Sequence, residues 1–475
     1  MLNNLKRIIA VTLAIALVFS LAGCNKTKII YEEASSGGEV EYVTQQVIVN
    51  EEGNKNNQQS GSTGNNNQQG STSTKKDGLI NDGVNPEDYR GKTIKFAATI
   101  NPEVDESGPV VKAFEKKYGI KVEIVQSDQA NYPNQLSGWI AAGNAPDVAR
   151  SNGDFPLAMS YLQSLDAAKL DYKEEIWNQN TFKMTTFGGS PYLCDTVGNI
   201  WTEIDIVVYS KSLLKRANAY TPEEYDKQGK WTWDAFFEIA RALKKTTGKA
   251  SVTFTNFDNV LHGMGSPVYL LKDGKLVNGF REGNAVAAMS KFSSYYKEGL
   301  INWDSASADF LDGTSGLVTV HAWSLKKTGD LKSANYDDIG FYYLPRQSAD
   351  SDYTSTGIFR GWGICRGSKE PVASGIFLRE YLDVNNYDCS STYISEDAEK
   401  FFFDVTSIDY SNYTPYLTYN SYTQEVAGMD YVKDIYVIMT YEAAQINSKM
   451  SATIDKLDKA CDNLNKYIEQ NTGIR

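Results

Sequence analysis

From residue 91 onward, apolar and polar positions alternate or recur with periods that predict a mixed α/β chain. Ile94, Phe96, Ala98 and Ile100 step by two through residues 92–100, the period of a strand with one buried face. Residues 109–118 (PVVKAFEKKY) then carry a helical pattern, with Gly119 placed to end it, and residues 121–125 (KVEIV) predict a second strand. Strand, helix, strand implies a parallel pair with a right-handed crossover. Residues 136–142 predict a helix, 143–145 a turn, and 146–148 open a short strand. Thr232 is placed to cap a helix from Trp233 to about Lys245, and Ser368 with Pro371 starts another to about Leu382. Near the C-terminus, Val432, Tyr436, Met439, Ala443 and Ile446, then Ile454, Leu457, Cys461, Leu464 and Ile468, recur every three or four residues, which predicts two amphipathic helical stripes. About 385 residues of this pattern, with no internal repeat, predict two α/β lobes.

The N-terminal part reads differently. Lys6 and Arg7 precede an apolar run over residues 8–20, too short to span a bilayer at about 20 residues and suited to a secretory signal. It ends in Leu21-Ala22-Gly23-Cys24, which resembles the bacterial lipobox, in which the cysteine is lipidated and becomes the new N-terminus. Residues 1–23 are therefore expected to be removed, which takes the net charge from −12 to −14. Residues 51–77 contain no aromatic, Leu, Ile or Val and are expected to be a disordered coil reaching roughly 25–30 Å. Residues 24–90 thus read as a lipid anchor and low-complexity tether, although residues 40–49 alternate in a strand-like way. Four further cysteines (Cys194, Cys365, Cys389 and Cys461) form no CxxC, so no zinc ribbon is suggested, and a single disulfide stays open.

Composition narrows the function. An acidic chain repels phosphate backbones, so no nucleic-acid partner is expected. Two histidines, His262 and His321, argue against a multi-histidine metal site, and no cofactor is expected. There is no HExxH, GxSxG, P-loop or GxGxxG. The unusual feature is 30 Tyr, 19 Phe and 8 Trp, together 12% of the chain.

Six segments in order resemble bacterial extracellular solute-binding proteins of the sugar-binding, ABC-transporter type. They are residues 114–122 (FEKKYGIKV), 141–148 (AAGNAPDV), 208–215 (VYSKSLLK), 231–236 (WTWDAF), 317–323 (LVTVHAW) and 367–371 (GSKEP). Together they cover about residues 91–390; the insertion at 198–203 and the C-terminal region depart from the pattern. The resemblance implies a type II periplasmic-binding-protein-like α/β fold, with the ligand in a cleft between the lobes and closure by a hinge. On this basis lobe 1 is expected at about 91–203 and 324–387, and lobe 2 at about 204–323 and 388–475. The implied partners are a carbohydrate, an ABC permease and the membrane that holds the lipid; a monomer is expected.

A sugar offers hydroxyls and a flat C–H face, so its cleft wants aromatic faces and planar polar groups. Four tryptophans lie in or beside loops rather than at repeating apolar positions: Trp201, Trp303, Trp323 and Trp362, the last flanked by Gly361 and Gly363. They are the candidate stacking residues, and their number favours an oligosaccharide. Trp139, Trp177, Trp231 and Trp233 read as core or helix-entry residues. Asp154 and Asn101 follow strands, where clefts of α/β sheets form, and Arg360 precedes Trp362; these are the polar candidates, with His321 beside Trp323 and Cys24 as the lipidation site. Asp147 reads as a strand-end turn residue. A non-sugar solute (peptide, polyamine or sugar acid) and a surface glycoside hydrolase remain the alternative readings.

Overall fold

The computed structural model describes residues 28–36, 39–47, 83–98, 108–127, 132–151, 153–196, 203–254, 256–302, 308–327, 329–354, 356–358, 360–383, 393–407, 414–415, 417, 421–440 and 443–472. The chain divides into two compact units, residues 1–74 and 75–475. In the first, β1 (Lys28–Ser36) and β2 (Glu39–Val47) form an antiparallel hairpin in which Lys28 faces Val47 and Ser36 faces Glu39. The tether expected over 24–90 therefore contains regular structure, and the alternation noted at residues 40–49 is its sequence trace. Residues 51–77 lie outside the described residues, as do the signal segment and Cys24.

The second unit holds two sheets. The first lobe is built on β3 (Thr93–Ala98), helix α1 (Gly108–Tyr118), β4 (Lys121–Gln126), helix α2 (Tyr132–Ala141), β5 (Val148–Arg150) and β6 (Leu162–Gln163). β3 pairs in parallel with β4 and β5, as the strand–helix–strand pattern predicts. Gly119 closes α1 with φ +63°, and its N–H donates to Glu115 O at 2.8 Å. The strand period sorts side chains cleanly. Ile94, Phe96, Ala98 and Val148 join the cluster that includes Phe114 and Phe377, while Ala97 and Ala149 face the larger core on the other side. A small hairpin, β7 (Thr186–Phe187) and β8 (Ser190–Pro191), follows.

The second lobe is built on β9 (Glu203–Ser210), helix α3 (Trp233–Thr247), β10 (Val252–Phe254), helix α4 (Phe257–Gly263), the hairpin β11 (Tyr269–Lys272) and β12 (Lys275–Asn278), helix α5 (Ala285–Lys297), β13 (Ile301–Asn302) and β14 (Leu317–His321). Thr232 sits at the N-cap of α3 without a side-chain cap bond, and Gly248 ends the helix in the left-handed region. β10 runs parallel to β13 and β14, and β14 runs antiparallel to β9.

The return to the first lobe comes later than the sequence suggests. β15 (Ile339–Tyr343) and β16 (Thr356–Ile358) both pair antiparallel with β9, so residues beyond 324 still belong to the second sheet. The physical reason is that β9 needs hydrogen-bond partners on both edges. β14 covers one edge, and β15 with β16 covers the other. Only β17 (Trp362–Cys365) rejoins the first sheet, between β5 and β6. Helix α6 (Pro371–Tyr381) then packs on it, with Pro371 in its first turn.

The C-terminal part comprises helix α7 (Glu396–Ser407), β18 (Thr414–Pro415) beside β16, helix α8 (Ser421–Ala427) and helix α9 (Ala443–Thr472). The second predicted stripe holds: Leu457, Cys461, Leu464 and Ile468 are buried along α9. The first does not form one helix. Its residues divide among a short helix Tyr431–Asp434, a 3₁₀ segment Tyr436–Thr440 and the start of α9, and Val432 is 53% exposed. Tyr436 and Met439 are buried from the 3₁₀ segment instead, so the three-and-four spacing marked burial without marking an α-helix. Cys194, Cys365 and Cys461 are free and buried; Cys389 lies outside the described residues.

Candidate functional site

The parallel strands of each sheet end at the edge where the antiparallel strand from the other lobe enters. In the first lobe β5 ends at Arg150, beside the start of β17 at Trp362. In the second lobe β14 ends at His321, opposite Asp205 near the start of β9. Ligands of open α/β sheets bind outside such strand ends.

Of the residues expected there, Trp201, Trp303 and Asn101 lie outside the described residues. Trp362 does not form a stacking surface. It is 4% exposed, and its ring packs against Phe96 at 4.9 Å and Tyr381 at 5.6 Å, inside the first lobe's core. The flanking glycines do serve close approach, but to the chain itself. A Cβ on Gly361 would meet Leu193 Cβ at 3.0 Å, and one on Gly363 would meet Tyr192 O at 2.7 Å. Trp362 is thus a packing residue. Arg360 is buried at the mouth of β17. Trp323 follows β14 in a 3₁₀ turn, partly buried against the main core. Trp177, Trp231 and Trp233 are buried, as their helix-entry and core positions imply.

Asp154 is fully buried in the loop after β5. It accepts hydrogen bonds from Ser151 Oγ at 3.0 Å and from Tyr161 OH at 2.9 Å to each carboxylate oxygen. Burial, and next the Asp154 charge, push the Tyr161 phenol well above its ordinary range. Asp154 in this arrangement orders its own loop rather than facing solvent.

That loop leads to a groove of about 590 Å³ between α2 on one side and α8 and α9 on the other. Its lining includes Asn134, Tyr422, Glu425, Asn463, Lys466, Tyr467 and Gln470. The hydroxyls of Tyr422 and Tyr467 bond to each other, and their rings meet edge to face at 6.2 Å. Burial, then the bond to Tyr467, raise the Tyr422 phenol; Asp154 and Ser160 of the first lobe also act on it. The turn Leu157–Ser160 of that loop packs on α9, which carries Tyr467. Two aromatic rings with amides, a carboxylate and an ammonium make a surface suited to a polyhydroxylated ligand. None of these groove residues stands out in the sequence: the polar ones lie on exposed helix flanks, and Tyr422 and Tyr467 are partly buried beside the core, where a tyrosine reads as packing. Among the described residues no cluster of His, Cys, Asp or Glu is arranged to hold a metal, and no helix is long and apolar enough to cross a membrane.

Comparisons with known proteins agree with this architecture. The maltodextrin-binding protein MdxE of Bacillus subtilis is 26% identical over 332 residues, which is 64% of this chain and 72% of that protein. A maltooligosaccharide ABC transporter solute-binding lipoprotein of Streptococcus pneumoniae is 25% identical over 281 residues, 57% of this chain and 63% of that one. Among solved structures, the cyclic α-maltosyl-1,6-maltose binding protein of Arthrobacter globiformis superposes with a TM-score of 0.58 at 13% identity, covering 80% of this chain and 99% of its own. The sugar-binding protein MalE of Xanthomonas citri gives 0.58 at 14%, covering 81% and 99%. The fold is the two-lobed one of these binding proteins. The model of the family described as bacterial extracellular solute-binding protein matches residues 110–387, more than half of the chain, and the protein belongs to that family.

Proposed function

We propose that this protein is the lipid-anchored substrate-binding subunit of an ABC importer and that its cargo is an oligosaccharide of the maltodextrin class. The observation that carries the reading is the family match over residues 110–387 together with relatives that bind maltodextrin and maltooligosaccharide. The groove between α2 and α8–α9 supports it with tyrosine rings and planar polar groups, the chemistry by which a sugar chain is held. Capture works by population shift: a ligand that touches both lobes favours the closed form by its extra contacts there. Cys24 carries the lipid, and the segment after it holds the binding unit at the outer membrane face.

Calorimetric titration of the mature protein with maltose through maltoheptaose tests the cargo. Heat with longer members of the series is expected. Heat only with a peptide, a polyamine or a sugar acid would overturn the assignment. For the anchor, Cys24→Ser is expected to move the protein from the membrane fraction into the medium; unchanged fractionation would refute a lipid at this cysteine.

A further inference from the structure

We propose that the N-terminal hairpin is a pairing surface for a second copy of this chain, with β2 of one copy lying along β2 of the other; this uses the reading of Cys24 as the lipid site. The hairpin forms a compact unit apart from the binding unit, and its sheet has two strands. A two-stranded hairpin by itself is marginal in water and is stabilised by further strands. Both of its strands are outer edges, and an outer edge offers unpaired N–H and C=O groups to another strand. The two-residue connection Gly37-Gly38 makes Ser36–Glu39 the hydrogen-bonded end pair, and bonded pairs then alternate along the ladder. By that alternation Tyr42 and Thr44 on β2, and Glu33 and Tyr31 opposite them on β1, turn their backbone groups outward.

Charge selects the edge. Antiparallel pairing of β1 with β1 of a second copy, centred on Glu32, sets Glu32 against Glu32, and like charges directly opposite are destabilising. Pairing of β2 with β2, centred on Val43, sets Val43 opposite Val43, Tyr42 opposite Thr44, Glu41 opposite Gln45 and Glu39 opposite Val47. No like charges face each other, and the outward groups of Tyr42 meet those of Thr44. β1 against β2 of another copy would run head to tail without closing, whereas β2 against β2 is two-fold and closed. The product is a four-stranded sheet. Its two-fold axis is normal to the sheet, so both chains can keep their lipids in one bilayer. Cys24 precedes Lys28 by four residues, at most about 14 Å of extended chain, so the lipid confines the hairpins to one layer and raises their effective concentration. The monomer expected from the family resemblance concerns the binding unit, not this anchor segment.

The test is thiol cross-linking of the full-length chain in the membrane fraction of the cells that express it, with Cys389→Ser as background. Val43→Cys is expected to give a disulfide-linked dimer on mild oxidation. Glu32→Cys, three strand spacings or about 14 Å from its counterpart, is expected to give several-fold less. Thr44→Pro removes an outward N–H from β2 and is expected to abolish the Val43→Cys dimer. Tyr31→Pro makes the same change directly opposite, on β1, and is expected to leave the dimer. Equal yields from Val43→Cys and Glu32→Cys, a Val43→Cys dimer that survives Thr44→Pro, or cross-linking to a different membrane protein would overturn the proposal. So would a membrane-bound chain that gives no cross-link, which would leave the lipid reading intact. A chain that neither fractionates with the membrane nor cross-links would overturn both.

Discussion

Asp147 accepts four hydrogen bonds, from Lys95 N at 2.8 Å, Ser368 Oγ at 2.6 Å, Lys369 N at 3.0 Å and Glu370 N at 3.3 Å. The last three come from the approach to α6, where backbone N–H groups lack helical partners and favour a negative charge. One buried carboxylate thus ties β3 and β5 to the start of a helix far along the chain. Asp147→Ala should lower unfolding stability by about 2–4 kcal/mol, read as a reduced urea midpoint, with Asp147→Asn losing less. Its turn-and-strand-end role was legible in the AAGNAPDV segment; its partners at 368–370 were not, because a sequence separation says nothing about which loop lies opposite. Trp362 shows the converse. Flanking glycines mark a close approach without saying to what, and the structure spends it on Leu193 and Tyr192. Trp362→Ala should therefore cost about 3–5 kcal/mol of stability and leave the affinity of the folded protein for oligosaccharide unchanged. Weakened affinity at an unchanged melting temperature would contradict this.

Between elements, tyrosine hydroxyls act as ties to carboxylates. Tyr209 on β9 donates to both oxygens of Glu223 at 2.8 Å, Tyr342 on β15 donates to Asp226 at 2.8 Å, and Tyr295 on α5 donates to Asp234 at 2.9 Å. In each case burial first, and the carboxylate second, raise the phenol above its ordinary value. The sign follows. A raised folded value means that the unfolded chain gives up its phenolic protons more readily, so the contribution is fully present below pH of about 10. It is lost as pH rises from there through the folded values. Tyrosinate absorbance at 295 nm should therefore rise together with loss of helical circular dichroism; smooth titration of all tyrosines before any unfolding would contradict it. Much of the aromatic excess is explained at this scale. The period of α9 and the alternation of β3 were readable because one face of each is buried. The stripe at 432–446 misled because 3₁₀ and α segments can bury similarly spaced residues.

For the molecule as a whole, the long helix α9 packs on α5 and β12 in the second lobe and on the turn Leu157–Ser160 in the first. Ligand closure should bring such contacts together and stabilise the folded state by about 2.7 kcal/mol at a hundredfold excess of ligand over Kd. The expected result is a higher Tm and a smaller radius of gyration by solution scattering with maltooligosaccharide present. A raised Tm with an unchanged radius would show binding without hinge closure.

The sequence by itself determined the α/β class, the two-lobe organisation, the family, and most strands and helices of the first lobe. These depend on local periodicity and on short motifs, which a single chain carries in full. Tertiary structure alone decided that β15 and β16 complete the second sheet, that Trp362 is core, and that Asp205, Asn259 and His321 meet at one edge. Those outcomes depend on which distant segment supplies the hydrogen bonds and the covering surface, and no local pattern encodes the identity of that partner.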